Sequence, residues 1–309
     1  MNDPAEIQLA FGLKKPLERF STYDLEVPKV ITVRLLIVGI NRSLSYTHRS
    51  IQKELKGPLE KSPKVAVNST VALIHQEHGV QNAWSGEFGA LEQEIPGIFE
   101  DNEVQYLDGS ALRSSVRGLA ARLTRIEDTW QDQGKSIENA LVFLKALSAL
   151  APEEHDQSDI FVLARPDVIV RGRLGIVRKI RKAQKLRESG TPTTLFPAWG
   201  TNSGLNDVFA VVPREHTDPY FRRFHEVPRL LEDGSRFHSE SFLKLVYRNT
   251  RHQSSIHTPM VRVRIGGAIP KLDLRFEKEH RFFSRIWREV KKKWRGGLLK
   301  IDAILGKRR

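Results

Sequence analysis

The sequence contains no cysteine, which excludes disulfides and thiolate metal sites and leaves the redox compartment open. It has no apolar run near the roughly 20 residues that a membrane-crossing helix requires. The opening Met1-Asn2-Asp3-Pro4-Ala5-Glu6 lacks the basic-then-apolar layout of a secretory signal, so a cytoplasmic location is expected. There is no internal repeat and no low-complexity tract. His75 and His78 stand three apart with no third partner nearby, so no histidine metal site is predicted.

What is present suits an ordinary globular enzyme. The 309 residues are 39% hydrophobic and 28% charged, enough to bury one large core. The formal net charge of +13 is unevenly spread. From Arg275 to Arg309 there are 13 Lys or Arg against 4 Asp or Glu, so the last segment holds most of the excess. Charge concentrated in this way points to one local partner, whereas a nucleic-acid-binding domain more often spreads its basic face through the fold.

Three segments follow: an arm over 1–30, a body over 31–275 and a tail over 276–309. The body opens with Ile31–Val38, β-branched and almost uncharged, which predicts a buried strand. A polar turn, Gly39-Ile40-Asn41-Arg42-Ser43, leads to a helix over 47–55 that Gly57-Pro58 closes. A second strand is predicted over 64–68, and residues 75–110 show no regular pattern. Residues 111–150 read as helical, with Ile137, Leu141, Leu144, Leu147 and Leu150 in one stripe ended by Pro152. A second buried strand, 159–164, stops at Arg165-Pro166-Asp167. A basic helix over 178–187, an apolar run over 208–212, a helix over 239–247 and a strand over 260–265 complete the body. Strands alternating with helices predict a three-layer α/β domain with a mainly parallel sheet flanked by helices.

Ligands in such sheets bind beyond the carboxyl ends of the strands, where two polar clusters fall. The first, Gly39 to Ser43, has the spacing of neither a dinucleotide-binding nor a phosphate-loop motif. Gly39 permits close backbone approach, and Arg42 can pair with a phosphate or stack on a base; an ordinary strand-to-helix turn is the alternative. The second is Arg165-Pro166-Asp167. Pro166 holds Arg165 in extended geometry, so both charged side chains leave the strand end in set directions. An Arg fork grips a diphosphate, and a carboxylate binds a cation or a sugar hydroxyl. A structural Arg–Asp pair at the sheet edge is equally compatible. Arg262 and Arg264 share a strand face, either turned to a phosphate or solvated.

Four blocks in chain order carry a resemblance. They are Gly39…Arg42…Ser50-Ile51, then 159–168 around Arg165-Pro166-Asp167, then Gly204-Leu205-Asn206-Asp207-Val208-Phe209-Ala210, then His238-Ser239-Glu240-Ser241-Phe242-Leu243. From about Val33 to about Ile265 the chain resembles a diffuse group of glycosyltransferases of bacterial surface-polysaccharide clusters and some large viruses. That resemblance implies a GT-A fold, a nucleotide-sugar donor, and a glycan or lipid-linked acceptor in surface polysaccharide synthesis. Many GT-A enzymes carry Asp-x-Asp at this strand end, and only Asp167 matches it. Asp167 is therefore the implied metal ligand for Mg²⁺ or Mn²⁺, unless Arg165 supplies the positive charge itself. Gly39, Arg42, Arg165, Asp167 and His238 are implied on the donor side, and Trp199 and Asn206 on the acceptor side. Asp207 is implied as the base that takes the acceptor proton, with Glu240 as a further candidate. A turn or cap at Asn206-Asp207, a core Trp199 and a helix start at Ser239-Glu240 are the structural alternatives.

In the tail, Phe283, Ile286, Trp287, Val290, Trp294, Leu298, Ile301 and Leu305 recur every three or four residues, opposite Arg and Lys. The pattern predicts a basic amphipathic helix, suited either to an anionic membrane surface or to packing on the body. A peripheral position on the cytoplasmic face of the membrane follows from the first reading. A nucleic-acid-binding protein and a catalytically inactive glycosyltransferase-like scaffold are the whole-chain alternatives. No nucleic-acid motif is present, and no nucleic-acid partner is expected.

Overall fold

The computed structural model of the chain describes residues 29–75, 80–82, 87–89, 97, 99, 103–199, 201, 204–257, 260–271, 273–275 and 277. The arm over 1–30 and the tail over 276–309 lie outside these residues, apart from positions 29, 30 and 277. His78 lies outside them too. No described helix is long and apolar enough to cross a membrane.

The chain begins with β1 (Ile31–Ile40), α1 (Leu44–Ile51), a π-helical turn Gln52–Lys56, α2 (Gly57–Glu60) and β2 (Val65–His75). Next come β3 (Val80–Asn82), β4 (Glu87–Gly89), β5 (Val104–Asp108), α3 (Gly109–Ile126) and α4 (Lys135–Ala149). After them stand β6 (Ile160–Ala164), β7 (Val168–Val170), α5 (Ile176–Glu188), β8 (Thr194–Pro197) and β9 (Phe209–Pro213). The described part closes with α6 (Thr217–Phe221), α7 (Val227–Glu232), α8 (Ser239–Val246), β10 (His252–Ile256) and β11 (Met260–Arg262).

Seven strands form one sheet in the order β10-β8-β9-β6-β1-β2-β5. β1 runs parallel to β2 and β6, β2 to β5, and β8 to β10. Only β9 reverses, antiparallel to both β6 and β8. The architecture is therefore mixed α/β, mainly parallel and flanked by helices, consistent with the predicted GT-A-like class. Two short antiparallel pairs, β7–β11 and β3–β4, lie beside it.

Alternation along the central strands explains the layers. Val33, Leu35 and Ile37 of β1, with Ile160 and Val162 of β6, enter one core with Leu44, Ile51, Ile176 and Ile180. Leu36, Val38, Phe161 and Leu163 enter the opposite core with Leu147, Tyr220, Phe221 and Leu243. A strand covered on both faces has no polar side to show, so β6 is buried at all five positions. A fully buried Leu or Ile contributes roughly 2 kcal/mol by leaving water. At the start of β6, Asp159 fixes register by accepting from Thr32 N at 3.0 Å and from Arg187 Nη1 at 2.6 Å.

Several bounds differ from those predicted. Gly57-Pro58 does not close the first helix but opens α2, since a first-turn Pro lacks only an N–H that has no helical partner. The stretch 111–150 divides into α3 and α4, because Gly134 takes φ +77° between them. Asp108 caps α3, accepting from Ser110 N at 2.9 Å and Ala111 N at 3.0 Å. The helix predicted over 239–247 begins at Ser239, with His238 as its N-cap.

Candidate active site

β1 lies at the sheet's switch point. The chain leaves β1 for β2 on one side, while β6 lies on the other, and the intervening helices cover opposite faces. Such a point leaves a crevice beyond the strand ends. There the structure has a cavity of about 590 Å³. Its strand-end wall includes Gly39, Arg42, Arg165, Pro166, Asp167, Asp207, Arg262 and Arg264.

The backbone of Arg165-Pro166-Asp167 is held on several sides. Thr47 Oγ1, on α1, donates to Pro166 O at 2.5 Å, and Val263 N donates to Asp167 O at 2.7 Å. Arg165 N donates to Val208 O at 3.1 Å. Two guanidinium groups then converge on the Asp167 carboxylate. Arg165 donates through Nε to Oδ1 at 2.9 Å and through Nη2 to Oδ2 at 2.7 Å. Arg42 donates through Nε to Oδ2 at 3.0 Å and forms an ion pair through Nη2 with the same oxygen. The Arg–Asp pair that the sequence allowed is therefore present, and it recruits Arg42 from the end of β1.

Electrostatics follow from this packing. Asp167 is 2% exposed. Burial alone would raise its pKa, but Arg165 and Arg42 outweigh it and hold the carboxyl well below the usual range. Burial would lower the pKa of Arg165, yet Asp167, with Asp207 and Glu240 behind it, raises it. Arg262 makes a second fork, Nε at 3.0 Å and Nη2 at 2.7 Å, onto Asp273, which is fully buried. Arg262 and Arg264 therefore line the cavity instead of forming a solvated strand face.

Asp207 also reaches the cavity. It is half-buried, and its carboxylate makes no hydrogen bond among the described residues. Its charge is felt by Arg165, Tyr220 and His238. It stands in a wall of arginines as a carboxylate that accepts no hydrogen bond from the described residues.

The remaining predicted residues lie elsewhere. Asn206 donates to Trp199 O at 2.7 Å and accepts from Val208 N at 3.0 Å. Both ends of its amide hold the loop, so it is a turn residue and not an acceptor contact. Trp199, at 9% exposure, packs into the core beneath the sheet, which corrects its expected role as a sugar platform. His238 stacks on Trp130 with centroids 5.3 Å apart, and its Nδ1 lies 3.1 Å from Glu240 Oε2. Burial lowers the His238 pKa and favours the neutral ring, which brings no charge to a diphosphate. Neither His238 nor Glu240 is in the cavity lining; Ser239 between them is.

Asp167 does not fit a divalent cation. Its carboxylate is engaged by two guanidinium groups whose positive charge repels a metal, and the described residues hold no group of three His, Asp or Glu able to bind one. In the place expected for Mg²⁺ or Mn²⁺, the Asp167 carboxylate meets the guanidinium groups of Arg42 and Arg165.

Sequence reasoning missed the opposite wall, formed by α3 and α4 with Arg113, Arg117, Lys135 and Asn139, and also the buried Arg223. A signal existed: Ser110, Arg113, Ser114 and Arg117 fall at helical spacing on one face.

No family model matches the sequence, and no curated protein matches it. Among solved structures the chain is similar to the apo form of mouse xyloside xylosyltransferase 1. The match has 8% identity, covers 73% of this chain and 84% of that one, and has a TM-score of 0.37.

Proposed function

We propose that this cavity transfers a sugar from a nucleotide-diphosphate donor to the hydroxyl of a glycan or lipid-linked acceptor. One observation carries the reading. An open carboxylate, Asp207, shares the cavity with two arginines aimed by a buried aspartate at a strand-end switch point. The volume of about 590 Å³ lies within the range of small-molecule sites.

In this reading Arg42 and Arg165 hold the donor diphosphate, and Asp167 fixes the direction of both forks. The acceptor oxygen attacks the anomeric carbon while the bond from that carbon to the diphosphate oxygen breaks. Asp207 takes the acceptor proton, and the bonding pair leaves with the diphosphate, whose growing charge the two guanidinium groups stabilise. No metal ion enters these steps. Synthesis of a surface polysaccharide is the proposed setting. The tail over 276–309 is proposed to hold the enzyme at an anionic membrane surface, on the support of its sequence pattern.

The test is a screen of labelled nucleotide sugars for transfer and for slow donor hydrolysis. The reading requires one donor to be consumed with release of its nucleoside diphosphate. A chain that binds no nucleoside diphosphate and consumes no donor overturns it.

A further inference from the structure

The cavity has a second set of cations that the donor reading leaves unused. Arg113 and Arg117 stand one helical turn apart on α3 and face the cavity with Ser110 and Ser114. Arg113 is committed, pairing with Glu138 and donating to Asn139 Oδ1 at 3.0 Å. The side chains of Arg117 and Lys135 are exposed at the cavity and make no hydrogen bond or ion pair among the described residues.

Arg223, only 2% exposed, lines the same cavity. Its Nη1 donates to Tyr220 O at 2.6 Å, and its guanidinium lies 4.4 Å from the centroid of the Tyr220 ring. Its Nη2 is buried with no acceptor among the described residues. A buried cation without a counter-carboxylate is an unfavourable arrangement that a nearby anion relieves.

Charge balance points the same way. The lining holds eight cationic side chains, namely seven Arg and Lys135, against three carboxylates, Glu138, Asp167 and Asp207. Asp273 neutralises Arg262 from outside the lining. A nucleotide-diphosphate sugar brings about two negative charges, so the cavity stays cationic once it is bound. Asp207 lines the same cavity as both groups of cations.

We propose that Arg117, Lys135 and Arg223 form a second oxyanion site, and that the acceptor carries a phosphate or carboxylate group bound there. The proposal rests on the donor reading, because it is the donor that occupies the strand-end arginines. The acceptor is then an acidic or phosphorylated glycan, with its anionic group on the helical wall and its hydroxyl turned to Asp207.

The experiment is calorimetric titration of inorganic phosphate, and separately of glucuronate, into protein saturated with the tightest-binding of the uridine, guanosine and cytidine diphosphates. One oxyanion site remains in the saturated wild-type protein, and the tighter of the two probes identifies the group. Arg117→Gln/Lys135→Gln, which changes exposed positions and spares the fold, weakens that probe about fivefold or more. The same variant keeps nucleoside diphosphate affinity within about twofold. Arg223→Met, with its folding checked by circular dichroism, weakens the probe further. The proposal is overturned if saturation with nucleoside diphosphate abolishes oxyanion binding, or if the double variant binds the probe like wild type. If no nucleoside diphosphate binds but phosphate binding still requires Arg117 and Lys135, the second site stands and the donor reading fails.

Discussion

Gly39 is in contact with Pro166, and a β-carbon at position 39 would lie 2.9 Å from Pro166 Cδ. The two residues join the end of β1 to the loop after β6. Gly39 adopts φ +150°, which side chains disfavour. Gly39→Ala therefore meets both strain and a clash, and is expected to cost about 2–3 kcal/mol of stability. Because the displaced loop carries Arg165 and Asp167, nucleoside diphosphate affinity is expected to fall as well. Chemical denaturation and calorimetry on the same variant measure the two effects.

Asp167→Asn leaves Arg42 and Arg165 facing a neutral amide. Loss of a buried charged partner is expected to cost about 3 kcal/mol at neutral pH. The pH dependence has a definite sign. The folded pKa of Asp167 lies below its unfolded value, so its contribution is full above about pH 4–5 and declines as pH falls further. Denaturation across pH 3 to 7 should show a shallower acid limb in the variant. An unchanged limb contradicts the assignment of Asp167 as the clamp's counter-charge.

Two arginines in place of a cation predict chelator-insensitive binding. Nucleoside diphosphate affinity should change by less than about twofold between excess EDTA and millimolar Mn²⁺, whereas Arg165→Gln should weaken it about tenfold or more. A strict Mn²⁺ requirement would show that the Asp167 carboxylate is released from its arginines on binding.

The tail gives a separate expectation. Protein with residues 276–309 should sediment with vesicles rich in anionic phosphatidylglycerol and far less with neutral phosphatidylcholine vesicles. Deleting the segment should abolish the difference, and high salt should weaken it.

Legibility in the sequence followed burial. β1 and β6 are covered on both faces, so their apolar runs announced them, and the strand-end residues Gly39, Arg42, Arg165 and Asp167 could be placed from topology. β5 and β10 were not legible because they are the sheet's edge strands: Val104–Asp108 is largely exposed, and His252–Ile256 buries only Ile256 fully. The Arg42–Asp167 contact joins positions 125 apart, and no local pattern encodes it. Trp199 and His238 were misread because composition alone does not distinguish a ring packed in a core or on another ring from one that meets a ligand. Arg223 carried no local signal, since what sets it apart is burial with no ion-pair partner among the described residues.

The central claim is that Asp207 takes the acceptor proton beside a donor held by Arg42 and Arg165. The direct measurement is steady-state transfer by Asp207→Asn, together with its nucleoside diphosphate affinity. The account predicts turnover lowered about 100-fold or more with affinity within about threefold of wild type. Wild-type turnover in Asp207→Asn would contradict it.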